Sequence, residues 1–204
     1  MRTRLLLIGL ATFLVLELAV TALAGPPFRA KPFEFDPMAT GIVDAAWIPH
    51  EGLPDAGNAN HALLLAKDGL TATNASAGAI VQGVEGMTLN ELGYDVRNDG
   101  HCGAGAPRFN VTMSIDGVHF IGCAAKPGSG TLIDPQGNSW TRKRWTAADL
   151  ANPLFTFPPI TTLSGTVVRI SIVFDEGTDQ GQGYTHLDNI DVNAVLIGKP
   201  GNAF

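Results

Sequence analysis

Seven residues, Phe109-Asn110-Val111-Thr112-Met113-Ser114-Ile115, alternate apolar and polar without a break and run straight into Asp116-Gly117. A helix would scatter those apolar side chains around its axis, whereas a strand of period two gathers them on one face. Asp-Gly then suits the tight primed turn of a hairpin. This segment therefore forces antiparallel β-structure with one buried and one wet face, and the rest of the chain reads in the same style. Leu92, Tyr94 and Val96 alternate with Gly93, Asp95 and Arg97, and Val168, Ile170, Ile172 and Phe174 are expected to face the core opposite Arg169 and Ser171. Thr40 to Trp47, His61 to Lys67, Ala79 to Val84, His119 to Cys123 and Ser139 to Trp145 are further strands. The last, His186 to Leu196, is expected to point Ile190, Val192 and Ala194 inward. Thr146-Ala147-Ala148-Asp149 is one capped helical turn, ended by Pro153.

Turn residues separate these segments, and the 24 Gly and 13 Pro of 204 residues are mostly spent there. Forty-five per cent hydrophobic residues can bury a core, so disorder is excluded by composition. With no internal repeat and no linker, nine or ten short strands give an all-β chain, one sandwich or barrel domain over residues 39–204. Residues 25–38, with Pro26, Pro27, Pro32 and Pro37, read as an extended lead-in around Phe33-Glu34-Phe35.

Residues 1–24 have the order of a secretory signal peptide: Arg2 and Arg4, an apolar run from Leu5 to Leu16, and a small-residue end at Ala22-Leu23-Ala24. A retained membrane anchor would have to place Glu17 in the bilayer, which is costly. Cleavage after Ala24 removes Arg2, Arg4 and Glu17 and takes the net charge from −6 to −7. Such a chain has no basic footprint for nucleic acid and no bulk attraction to anionic lipid. Export also places Cys102 and Cys123 in an oxidising compartment, extracellular or periplasmic, where a bridge between them is expected.

Gly93-Tyr94-Asp95-Val96, the glycine-rich Cys102 to Phe109 leading into an alternating strand, and Leu187-Asp188-Asn189-Ile190-Asp191-Val192 resemble secreted jelly-roll domains. More specifically, they are similar to the galactose-binding-like β-sandwiches that include many carbohydrate-binding modules. The resemblance covers residues 33–196 and implies a jelly-roll fold and sugar recognition. Aromatic platforms and planar hydrogen-bonding groups would carry that recognition, and the candidates are Tyr94, Arg97, Asn98, His101, Arg108, Trp140, Trp145 and Tyr184. Trp140 and Trp145 are five apart, so they face opposite sides of a strand, and one is expected in the core and the other exposed. Arg142-Lys143-Arg144 between them reads as a solubilising edge strand or as a contact for an anionic ligand.

Two constellations suggest a structural calcium. Asp175, Glu176 and Asp179 lie on a glycine-rich loop whose oxygens could wrap a hard cation, although the same loop also reads as a solvated connection. Glu34 and Asp36 would meet Asp188 or Asp191 if the first and last strands lie side by side, as in the similar modules.

Catalytic signatures are sparse. Pro127-Gly128-Ser129-Gly130 is one position short of a nucleophile elbow and reads as a flexible turn. His50, His61, His101, His119 and His186 share no zinc-like spacing. Asp188 and Asp191, three apart on a strand, are expected on opposite faces, which separates them as a glycosidase pair. Asn74-Ala75-Ser76 and Asn110-Val111-Thr112 match the N-glycosylation pattern. The sequence thus points to a secreted, non-catalytic binder of a glycan or cell-surface polysaccharide. A structural or adhesive extracellular scaffold is the alternative, and a hydrolase with a site assembled only in three dimensions is the third reading.

Overall fold

Alternation at residues 108–113 becomes strand β6, Arg108–Met113, whose Phe109, Val111 and Met113 are buried while Arg108, Asn110 and Thr112 stay half-exposed. The hairpin follows at Asp116-Gly117, with Gly117 at φ +86°, and returns as β7, Gly117–Gly122. In the computed structural model, residues 28–55, 60–161, 165–175 and 183–198 are described.

Twelve strands are present among them. Besides β6 and β7 they are β1 Arg29–Phe35, β2 Val43–Pro49, β3 His61–Lys67, β4 Ser76–Gln82, β5 Glu91–Arg97, β8 Ser129–Ile133, β9 Ser139–Thr146, β10 Val167–Phe174, β11 Gly183–Val192 and β12 Val195–Ile197. They form two antiparallel sheets. One has five strands in the order β1-β4-β10-β6-β7; the other has seven, in the order β2-β3-β11-β5-β9-β8 with β12 paired to β11. The chain crosses repeatedly between the sheets, so each sheet needs the other for its core: Leu92, Tyr94, Trp145, Leu187 and Ile190 from the larger pack against Ala79, Val81, Phe109, Val111, Ile170 and Ile172 from the smaller. Tyr94, Phe109 and Trp145 meet at its centre, with ring centroids 5.2, 5.6 and 6.1 Å apart. Aromatic contacts of this kind add to the area that each ring buries.

Among the described residues, helix is confined to a 3-10 turn at Cys123–Ala125 and α1, Ala147–Leu150, whose cap is the Thr146/Asp149 box read from the sequence. Cys102 and Cys123 are joined by a disulfide, tying the loop after β5 to the turn after β7.

Several expectations need correction. Residues 29–35, inside the stretch read as a lead-in, are an edge strand of the five-stranded sheet. Ser129, read as part of a flexible turn, opens edge strand β8. Val168 does not face the core, because the ladder slips between Val167 and Arg169; Val167 is buried and Val168 is 49% exposed. Ala194 sits with Asn193 at positive φ in the turn between β11 and β12, and is exposed.

Candidate functional site

Each sheet has an outer face, and the two are built differently. On the seven-stranded sheet, Leu92, Tyr94 and Val96 point inward, which turns Glu91, Asp95 and Arg97 outward. β11 adds more carboxylates by an irregularity: its register with β5 shifts between Asp188 and Asp191, and Asn189 takes φ +44°. One residue is counted twice there, so Asp188 and Asp191 share the outer face, contrary to the alternation expected of a regular strand. The result is a row of buried acids. Asp95 and Asp188 have no exposed surface and Asp191 has 1%.

Arginines from β9 cover two of them. Arg142 donates from Nε and Nη2 to the two oxygens of Asp95, both at 2.5 Å, and Asn189 Nδ2 adds a bond at 2.9 Å. Arg144 Nη1 bridges Glu91 and Asp191. Asp188 is different. It accepts from the backbone N–H of Leu53 at 2.7 Å and of Asn189 at 2.6 Å, and among the described residues no cation pairs with it. Burial pushes its carboxyl up to about 8, with Asp55 and Asp95 adding to the rise against the two backbone bonds. The loop after β2 lies directly on this row. A Cβ on Gly52 would sit 2.0 Å from the His61 carbonyl oxygen and 2.8 Å from Asp188 Oδ2, so only glycine lets the loop approach so closely.

The sugar-site candidates fall mostly within this closed structure. Tyr94 and Trp145 are core, and Tyr94 Oη donates to the Pro107 carbonyl at 3.3 Å. Trp140 does face the other way from Trp145, yet it is equally buried, packed under Leu53 and Ala62 with its Nε1 donating to Asp134 at 3.0 Å. Neither tryptophan is therefore the exposed platform expected of the pair. Arg97 is buried between Glu51 at 2.6 Å and Asp99 at 2.7 Å, and Asn98 is bonded to Ser139 and Thr141. His101 is half-buried, its N–H donating to the Tyr184 carbonyl and its ring edge-on to Phe174. Tyr184 is 40% exposed, with its Oη donating to the Asp99 carbonyl and His186 edge-on to its ring.

Arg142, Lys143 and Arg144 do not form an edge, since β9 lies between β5 and β8. The two arginines serve the acidic row, and Lys143 turns inward to donate to the Lys126 carbonyl at 3.0 Å.

The calcium constellation expected between the first and last strands is not assembled. β1 and β11 belong to different sheets, so Glu34 and Asp36 are not beside Asp188 or Asp191. Asp36 closes its own turn, accepting from Thr40 Oγ1 at 2.9 Å and the Gly41 N–H at 2.7 Å. Asp175 receives both Nη groups of Arg108 at 2.8 Å, while its carbonyl accepts from Lys67 Nζ. Glu176 and Asp179 lie outside the described residues, and no group of three or more His, Cys, Asp or Glu suited to a metal occurs among those described.

The outer face of the five-stranded sheet is open by comparison: no further strand or helix of the described residues is layered on it. Its side chains line up in rows across all five strands. One row is Phe33, Gly78, Val173, Arg108 and Gly122; the next is Lys31, Ile80, Ser171, Asn110 and Phe120. A third carries Arg29 and Gln82, then Arg169, Thr112 and Val118. Phe33 lies flat across the sheet because Gly78 leaves the room; a Cβ there would be 2.5 Å from its ring. At the far edge the Arg108 guanidinium is 5.9 Å from the centre of the Phe120 ring. Phe120 and Phe157 exchange backbone hydrogen bonds, and the segment 153–157 borders a shallow cavity of about 160 Å³ beside the Phe120 ring.

Of these face residues the sequence singled out Arg108, and Asn110 only as a glycosylation motif. The signal was nonetheless present in the alternation itself, whose polar half, Arg108, Asn110 and Thr112, must face outward wherever Phe109, Val111 and Met113 face in. No family model, curated protein or solved structure matches the chain.

Proposed function

We propose that this chain is a secreted, non-catalytic glycan-binding domain of jelly-roll type, with the open face of the five-stranded sheet as its binding surface. The observation that carries this reading is the unbroken row Lys31, Ile80, Ser171, Asn110, Phe120, beside Arg108 in the neighbouring row. It offers the half-exposed Asn110 amide and the exposed Lys31 ammonium for sugar hydroxyls, with the exposed Phe120 ring to meet the apolar face of a pyranose. The disulfide is in keeping with export, as is the leader-like order of residues 1–24. Among the described carboxylates, Asp95, Asp188 and Asp191 are buried beneath arginines and the loop after β2, which leaves them no cleft in which to flank a glycosidic bond.

The test is binding of a panel of soluble polysaccharides by the wild-type protein and by Asn110→Ala and Phe120→Ala. Both side chains project from the sheet, so each variant is expected to keep its melting temperature and lose binding. No retention by any polysaccharide at millimolar sugar would overturn the reading. A second reading, an adhesive scaffold, is favoured by Leu154 and Phe157, 77% and 74% exposed beside the cavity. Under it, Phe157→Asp abolishes attachment to a protein-coated surface and leaves the polysaccharide panel unchanged.

A further inference from the structure

The open face carries an electrostatic pattern opposite to that of the molecule. The chain as a whole has a net charge of −6. None of the positions in the three rows is Asp or Glu, whereas Arg29, Lys31, Arg169 and Arg108 are all there. Arg108 is neutralised by Asp175 at the end of its row. Arg29, Lys31 and Arg169 are exposed, and none of them is ion-paired with a described residue.

Their placement follows from the register. Arg29 and Lys31 are two apart on β1, so both project outward, and Arg169 projects from β10 on the other side of β4. With strands roughly 5 Å apart, the three cations bracket a strip roughly 10 Å wide. Gln82 and Ile80 lie in that strip and Ser171 beside it, with Asn110 and Thr112 one strand further on. Point charges thus alternate with groups that pair with hydroxyls, over a surface edged by Phe33 and Phe120.

Resting on the glycan-binding reading, we infer that the ligand is an acidic polysaccharide, a polymer of uronate or sulfated sugar units. Its carboxylates or sulfates meet Arg29, Lys31 and Arg169, and its hydroxyls meet Asn110, Gln82 and Thr112. A neutral glycan would leave three cations without partners. A nucleic acid or an anionic bilayer would have to overcome the acidic remainder of the chain with only these three charges, and neither makes use of the interleaved amides and hydroxyls. Because the attraction is confined to one face of an anionic protein, it is short-ranged and screened by salt.

The experiment is retardation of the purified protein in native gels containing polygalacturonate, compared with dextran, duplex DNA and phosphatidylglycerol vesicles, at low salt and again at about 0.5 M salt, where the Debye length is only a few ångströms. Retention by polygalacturonate at low salt, lost at high salt, is expected. The triple variant Arg29→Ala, Lys31→Ala, Arg169→Ala is expected to weaken it by about tenfold or more. These three side chains are exposed, so an unchanged melting temperature accompanies the loss, and the salt series on wild type stands without the variant. Equal retention by dextran and polygalacturonate would overturn the acidic ligand class and leave glycan binding standing. Equal retention by DNA or vesicles would overturn it in favour of general polyanion binding, and retention by no polysaccharide would overturn the glycan reading with it.

Discussion

Arg142 grips Asp95 with two nitrogens, Nε and Nη2, at the middle of a sheet face where the carboxylate has no access to water. The hydrogen bonds it donates to Asp95 hold the guanidinium firmly in its charged form. Asp95 would be left buried with only Asn189 if the arginine were removed. Arg142→Ala is expected to cost about 3–5 kcal/mol in urea unfolding, the range for a buried ion pair broken from one side. Replacing both partners with Asp95→Asn and Arg142→Met is expected to cost much less; equal losses would show that the pair, and not the stranded charge, holds the face together.

Stability should depend on pH through two groups of opposite sign. Burial holds Asp188 protonated up to about 8, whereas the unfolded chain releases that proton near its ordinary value of 3.8. The native state therefore binds the extra proton, and stability falls as pH rises between these values, by on the order of 5 kcal/mol. His186 acts in reverse: burial, with Arg97 beside it, holds it down to about 4 from 6.5, so stability falls as pH drops through that window. The two oppose one another in the acid range, and above the ordinary histidine value only Asp188 remains. Urea midpoints of wild type should fall between about pH 6.5 and 8.5, and Asp188→Asn should flatten that fall. A wild type equally stable at both pH values would contradict the account.

Trp140 and Trp145 should behave as structural residues. Each is wholly buried, one beneath the loop after β2 and the other against Tyr94 and Phe109. Either change to alanine is expected to cost about 3–5 kcal/mol by thermal or urea unfolding. Where the folded fraction is restored, ligand affinity should be unchanged. A stable Trp140→Ala protein with lost binding would return that residue to the binding surface.

The disulfide joins positions 21 apart. Closing that loop in the unfolded chain is worth about 3 kcal/mol on the chain-entropy estimate. Cys102→Ser with Cys123→Ser should lower stability by about this amount, and added reductant should bring wild type to the same melting temperature without affecting the variant.

Most strands were legible because their apolar residues recur with period two and their ends carry Gly, Pro, Asn or Asp. Leu92 to Arg97 and Phe109 to Met113 fall where the alternation puts them. What the sequence did not reveal had two physical origins. Bulges change the phase of a strand without a mark in its composition, which misplaced Val168 and set Asp188 and Asp191 apart. Burial on an outer face depends on a loop from elsewhere in the chain, so the exposure expected of one tryptophan failed where Leu53 closes over Trp140. β1 and β8 lacked a signal because Pro32 and Gly130 interrupt them, as edge strands allow. The open face was half legible: its polar side chains were fixed by alternation, but their alignment across five strands is a matter of register that one sequence does not contain.

The bulge at Asn189 makes the end of the chain dependent on backbone conformation as well as residue type. Upstream of it Leu187 points to the core; downstream Ile190 and Val192 do, three and five positions later, on what a regular strand would make its wet side. Flattening the bulge with every residue retained would return the strand to strict alternation and exchange its two sides from that point on. Ile190 and Val192 would go to water and Asp191 into an apolar core, with no change in composition worth noticing. Asn189 is thus the chain's phase marker: substitutions that tolerate its positive φ keep the fold, and removal of this one residue leaves a regular strand with the same side chains inward, whereas a residue that forces extended backbone here turns the last segment inside out.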